Sequence, residues 1–293
     1  ANYSFELLAD VDGQISIHVP GAVSEDLALN PNEASNTLTF TGDFILPTAN
    51  ITSTAPTYTN VAPIPVNFEW SEDTTGFVSG DVSISGGTLS SLSKIGVDYN
   101  GTITPAAEGN ITLQVPADVC TDIATNPNLA SESLMFVYDV TRPSTTASTE
   151  EAAKTNKQSI GCKVTFSEPV PDFTVAAVQL GGVGGSVSEF AQGLEGDHVY
   201  TFNVSASQEG DVTVFVNAGN TYSPRITDRA DNDILASNTL NFLYDTTFPA
   251  VTLTLLSELS ALDSLSTKNK PIQVQMDTSE PIDGFIGSDL FLG

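Results

Sequence analysis

Basic residues are scarce in this chain of 293: nine Lys and Arg stand against 36 Asp and Glu, a formal charge of −27 at pH 7. A field of that sign repels phosphate backbones and excludes nucleic acid as a partner; anionic membrane surfaces are disfavoured for the same reason. Long apolar runs are lacking too. No stretch approaches the roughly 18 apolar residues of a spanning helix, so no membrane insertion is expected. The opening ANYSFELLAD has no basic segment before an apolar run and does not read as a secretory leader. Histidine is limited to His18 and His198, and no G-x-S-x-G, H-E-x-x-H or phosphate-binding loop occurs. Gly181-Gly182 and Gly184-Gly185 precede no helical pattern and read as a turn. The chain is therefore not expected to be an enzyme.

What is present is enough apolar material for real cores, 40% hydrophobic and 8% aromatic. Ser and Thr number 64 and take surface positions that Lys and Glu fill elsewhere. That composition points to a strand-rich extracellular or cell-surface protein. At about 100–200 residues per domain, two or three domains are expected.

The chain repeats itself. Residues Tyr3 to Phe40 match Tyr99 to Phe136 at a constant offset of 96, through Gly13/Gly109, Asp26/Asp122, Ala28/Ala124 and Asn30-Pro31-Asn32/Asn126-Pro127-Asn128. A third copy runs from Tyr200 through Gly210 to Phe242 with five extra residues in one loop. The other half of the unit repeats as Ser71-Glu72, Ser167-Glu168 and Ser279-Glu280, followed at equal spacing by Phe77, Phe173 and Phe285. Within each unit the period is two, as in NITLQVPA and DVTVFVNA, with EGN, EGD and DVDG as turn signals. About seven short strands per 100 residues, read as antiparallel, give an all-β sandwich with strands lettered A to G.

VTFSEPVPDFT (164–174), TDRADND (227–233) and YDTTFPAVTLT (244–254) resemble bacterial Ig-like repeats, found in tandem in large surface adhesins and other secreted proteins. The second unit departs from the pattern, with WSEDTTGF in place of SEPV. The fold class is thus tandem Ig-like antiparallel β-sandwiches, two complete and two partial. Residues 1–47 are read as a partial domain of strands E to G, 48–143 and 144–249 as complete domains, and 250–293 as a partial domain of strands A to C. Half a sandwich cannot bury its face. Either flanking repeats of a longer chain complete the halves, or strands A–C of one copy complete strands E–G of the next, a head-to-tail contact that builds filaments.

The antiparallel strand order brings the B–C and F–G loops to the pole where the preceding domain arrives. Asp43, Glu72, Asp122 and Asn126 are expected to meet at the first junction. Asp139, Glu168, Asp228, Asp231 and Asn232 meet at the second, and Asp245 and Glu280 at the third. Hard oxygen ligands in that number suit Ca²⁺, the one cofactor expected. The competing reading is local, because Asp and Asn in D-x-A-x-N also close turns by themselves.

Cys120 and Cys162 fall about two domain lengths apart and cannot be bridged; Cys162 is read as a core thiol and Cys120 as free or intermolecular. Five acceptor sites, at Asn2, Asn50, Asn100, Asn110 and Asn203, carry glycans where the source has the machinery. Trp70, aligned with Phe166, is read as core. The function expected is that of an adhesin stalk or filament, with copies of itself or flanking repeats as partners. The alternative is a spacer in a secreted polysaccharide-acting enzyme.

Overall fold

The computed structural model describes residues 2–193, 198–256 and 273–291. Its regular structure is strands with short 3-10 turns. The chain opens with β1 (Gly13–Ile17) and β2 (Leu38–Gly42), an antiparallel pair. Next come β3 (Ala49–Thr52), β4 (Tyr58–Thr59), β5 (Ile64–Trp70), β6 (Ser83–Ser85), β7 (Gly87–Ile95), β8 (Asp98–Pro105), β9 (Gly109–Gln114) and β10 (Leu134–Tyr138). A second set follows: β11 (Thr145–Thr149), β12 (Lys154–Thr155), β13 (Ser159–Phe166), β14 (Val178–Gly182), β15 (Gly184–Gln192), β16 (Val199–Ala206), β17 (Gly210–Val216) and β18 (Leu240–Tyr244). The chain closes with the pair β19 (Val251–Leu255) and β20 (Val274–Thr278).

Each set of eight folds into two four-stranded sheets, ordered β3-β5-β8-β7 with β4-β10-β9-β6, and β11-β13-β16-β15 with β12-β18-β17-β14. Alternation drives this. Along β5 and β13 every second side chain is buried, so one face of each strand must find an apolar partner. Ile64, Phe68 and Ile103 of one sheet meet Ile111, Leu113 and Phe136 of the other in one core. Val164, Phe202 and Val204 meet Val212, Val214 and Phe242 in a second.

Two details recur in both sandwiches. Gly86 and Gly182, at equivalent places beside the C–D turn, have φ of +77° and +63°. A Cβ there would lie 2.2 and 2.0 Å from the carbonyl oxygens of Asn110 and Asp211. Only glycine fits such a close backbone approach. Phe77 and Phe173 cap the cores edge-on, with centroids 5.2 Å from Trp70 and 5.0 Å from Phe166. The tyrosine of β16 then fastens the B–C loop, its hydroxyl donating to Val170 O at 2.8 Å.

The structure corrects the all-antiparallel expectation at one place in each sandwich. After β3 and β11 the chain crosses to the other sheet, where β4 pairs in parallel with β10 and β12 with β18. First and last strands then run the same way along one edge, and two residues are too few to show any period. The expected strand E of the leading segment does not form either. Residues 3–8 lie in no strand, and Tyr3 is 91% exposed. In the intact sandwiches strand E pairs with B and D, in the sheet opposite F and G, and the leading segment holds neither partner. Strand C of the closing segment fails for the same reason. Leu290 and Phe291 are exposed and outside any strand because strand F is absent there, and residues 292–293 lie outside the described set.

Both thiols are free and buried, and burial pushes each up to about 11. The sulfur of Cys120 lies 3.6 Å from Asn128 Oδ1, so the intermolecular role expected for it is closed off while the loop is folded. Trp70 is core, 5% exposed, but its buried Nε1 has no acceptor. The second sandwich carries Phe166 at this place. Trp70→Phe is therefore expected to change stability by less than about 1 kcal/mol, because the smaller ring also removes an unsatisfied donor. Trp70→Ala should cost about 3–5 kcal/mol through the cavity it leaves. Urea unfolding of both variants checks the pair.

Candidate functional site

The loop between strands F and G builds itself around one aspartate. Asp228 Oδ1 accepts the backbone N–H of Ala230 at 2.7 Å and of Asn232 at 2.9 Å, while Oδ2 accepts Asn232 Nδ2 at 3.0 Å. Asp122 is closed the same way by Asn126, at 2.9 Å from N and 2.8 Å from Nδ2. Asp26 is closed by Ala28 and Asn30. The residue before each Asn adopts positive φ: Leu29 at 62°, Thr125 at 73°, Asp231 at 70°. A β-branched side chain in that region is strained, and the aspartate's hydrogen bonds hold it there. The local-turn reading of D-x-A-x-N is therefore realised.

The same asparagines reach outward. Asn126 Nδ2 donates to the linker carbonyl of Asp43 at 3.0 Å, and Asn232 Nδ2 to that of Asp139 at 3.0 Å. The repeated serines hold the linker from the other side. Ser71 and Ser167 accept the N–H of Thr48 and Ser144 through their hydroxyls, each at 3.0 Å. Linker, B–C loop and F–G loop are thereby fixed together, and their acids meet. Carboxylate oxygens of Asp43, Glu72 and Asp122 lie within 4.8 Å of one another, as do those of Asp139, Glu168 and Asp228. Across the second junction, Asn60 of the first sandwich donates to Asn232 Oδ1 at 3.0 Å. Arg142 of the linker donates through Nε to Asp233 O at 2.9 Å.

The remaining candidates fall elsewhere. Asn126 and Asn232 act as clamps, their NH₂ groups engaged by the aspartate and the linker. Asp231 faces away, exposed and paired with Arg225 at 3.3 Å. Asp245 accepts Thr247 N–H at 3.1 Å, and Glu280 is half-buried; among the described residues no F–G loop reaches these two.

Sequence reasoning missed a further acid, supplied by the preceding unit. Glu108, in the turn before β9, accepts Val140 N–H at 2.8 Å and the Thr141 hydroxyl at 2.9 Å. Asp12 holds Phe44 N–H at 2.7 Å in the same way, and Glu209 holds Thr246 N–H at 2.8 Å. The signal was the acid-Gly dipeptide before each strand F, Asp12-Gly13, Glu108-Gly109 and Glu209-Gly210, which also marks a turn.

Crowding these acids has an electrostatic consequence. Partial burial, then the negative charges of Asp139, Asp228 and Glu108, push Glu168 up to about 7. Glu72 is raised by burial and by Asp43, Asp122 and Asp12. Burial works against the charged form of Asp122 as well, but the hydrogen bonds from Asn126, Ala124 and Thr125 hold it below its ordinary value. Each junction thus offers three carboxylates converging on one point. The donor set is all oxygen and fits a hard divalent cation such as Ca²⁺ in chemistry.

Residues 43–138 match the family model described as bacterial Ig-like domain, a match that begins at the linker acid Asp43. Among solved structures it is similar to invasin, described as a bacterial integrin-binding protein, at 14% identity and a TM-score of 0.40 over 90% of this chain. The D0–D1 domain of intimin is similar at 13% identity and a TM-score of 0.21, over 67% of this chain and 96% of that one. This chain covers 60% of the length of the invasin chain. No curated protein matches it in sequence.

A raised carboxyl binds its proton more tightly folded than unfolded, so its contribution to stability is present below the unfolded value and is lost as pH rises through the folded one. For Glu168 the window runs from 4.5 to about 7. In chelator, the melting temperature of the second sandwich should fall as pH rises across that window. Glu168→Gln should flatten the dependence and raise the melting temperature at pH 8. Calorimetric scans at several pH values check both.

Proposed function

We propose that this chain is a rigid structural segment of an extracellular, adhesin-type surface protein, in which Ig-like sandwiches are joined end to end and Ca²⁺ is held at each acidic junction. The observation that carries the reading is the recurrence of one junction at two successive places. Asn126 and Asn232 each tie an F–G loop to a linker carbonyl, and Asp43, Glu72, Asp122 and Asp139, Glu168, Asp228 converge beside them. A domain-to-domain joint repeated in such detail serves to fix spacing and direction. The bacterial Ig-like match of residues 43–138 supports the class of protein. No helix among the described residues is long and apolar enough to cross a membrane, in keeping with a segment that lies outside one.

The cation has a physical rationale. Carboxylate oxygens held within 4.8 Å of one another repel when charged, and a divalent ion reverses that sign. The role is mechanical: length from stacked sandwiches, limited bending at short linkers, and stiffness from the ion. Completion of the two terminal half-sandwiches by strands of a neighbouring repeat or copy belongs to the same reading.

Titration with Ca²⁺ followed by isothermal calorimetry tests it. Two binding events and a rise in melting temperature are expected. Asp139→Asn combined with Glu168→Gln should remove one event and leave the other, since neither residue closes an F–G loop. No heat and no change in melting temperature would remove the cation from the account.

A further inference from the structure

The outer face of the sheet β11-β13-β16-β15 carries a groove of about 480 Å³, within the range of about 300–1,000 Å³ usual for small-ligand pockets. Its floor is Gly161. Cys162 of β13 turns into the core, so Gly161 and Lys163 face outward, opposite Asn203 and Thr201 of β16. A glycine inside a central strand weakens it, and it marks a place where something approaches the backbone closely. The fold does not require glycine here. A Cβ on Gly161 would meet only Asn203 Oδ1, at 3.8 Å and in ordinary contact. The first sandwich has Pro65 at the same place, opposite Thr102. The missing side chain leaves open backbone between polar walls.

Strand β15 supplies one wall through a bulge. Its register on β16 shifts between Ser188 and Ala191, and Glu189 within the shift has a φ of +52°. That backbone is unfavourable for a residue with a side chain, and bulges re-aim the side chains they carry. The Glu189 carboxylate turns back over the sheet, where Oε2 accepts Asn203 Nδ2 at 2.6 Å. The first sandwich has the same bulge with Ser91 at a φ of +57°, so the bulge belongs to the fold and the carboxylate is the addition. With its amide engaged, Asn203 presents Oδ1 to the glycine floor. The turn after β11 supplies the opposite wall, Glu150 and a Glu151 paired with Lys157 at 2.6 Å. Lys163 and Glu150 make no ion pair among the described residues.

We propose that this groove binds a neutral saccharide, a mono- or disaccharide unit lying flat on Gly161. The chemistry of the rim selects that class. An anion would face Glu150 and Glu189 in a chain of net charge −27, and a cation would face Lys163. A neutral polyol meets neither penalty, and each of its hydroxyls both donates and accepts. Its hydroxyls donate to Asn203 Oδ1, Glu189 and Glu150 and accept from Lys163 Nζ, so most of these bonds are of the stronger, charge-assisted kind. The C–H face of a pyranose ring needs a surface with no projecting side chain, which Gly161 provides. The first sandwich, with Pro65 and Ser91 at the equivalent places, lacks both the floor and the carboxylate.

Backbone-amide spectra of the whole chain test the site, titrated with methyl β-glucoside, methyl β-galactoside, methyl α-mannoside and cellobiose. Concentrations up to about 50 mM cover the millimolar Kd range of weak ligands. Saturable shifts centred on Gly161, Thr201 and Asn203 are expected with at least one of the sugars. Gly161→Val should weaken that binding at least tenfold without lowering the melting temperature, because a β-branched residue suits the strand and its Cβ meets no clash. Spermidine and citrate serve as cationic and anionic probes. No saturable shift with any of the sugars, binding unchanged in Gly161→Val, or saturable shifts with spermidine or citrate alone would overturn the inference. Each of these results leaves the rigid-array reading standing, because none of the junction acids lines the groove.

Discussion

The hydrogen bond from an asparagine amide to a linker carbonyl, Asn126 to Asp43 and Asn232 to Asp139, is the constraint on which the rest depends. It can form only because Asp122 or Asp228 has first closed the loop and oriented that asparagine, against the cost of a left-handed residue between them. Once formed, it decides where the linker carboxylate lies and hence that three acids share one small space. A tandem array without such a bond would have free joints. Domain interfaces of modest area move relative to one another by default.

The aspartates are tolerated because their oxygens are occupied. Asp122 and Asp228 are only 2% and 7% exposed, and each accepts hydrogen bonds from backbone and amide, which offsets part of the burial cost. The glutamates lack that compensation. Glu168 carries the burden of the cluster, and its proton affinity rises accordingly. The proton relieves the repulsion within the cluster, and the proposed divalent cation would have to displace it to bind at the junction.

The sandwich and its period were legible because Ser71-Glu72, Ser167-Glu168 and the D-x-A-x-N loops recur in register and the strands alternate. The convergence of Asp43, Glu72 and Asp122 followed from strand order alone. Other features were hidden for physical reasons. Two-residue strands such as β4 carry no period, and their parallel pairing depends on the whole chain path. Glu108 and Asp12 looked like turn residues because Glu-Gly and Asp-Gly are turn signals whatever the side chain does next. The failure of residues 3–8 to form a strand reflects the partners a strand needs, since the apolar pattern itself is intact. Asn126 and Asn232 were counted as ligands because residue type does not reveal which end of an amide faces the acid.

The account stands on the junction being stiff. The most direct measurement is the distance distribution between spin labels at positions 67 and 163, equivalent outer-face positions on β5 and β13 of successive sandwiches, read by pulsed electron resonance with Ca²⁺ present. A single narrow peak is predicted, broadening when Asn232→Ala removes the bond to Asp139. A distribution already broad in the unaltered chain, or one that Asn232→Ala leaves unchanged, would contradict the claim that this bond sets the geometry.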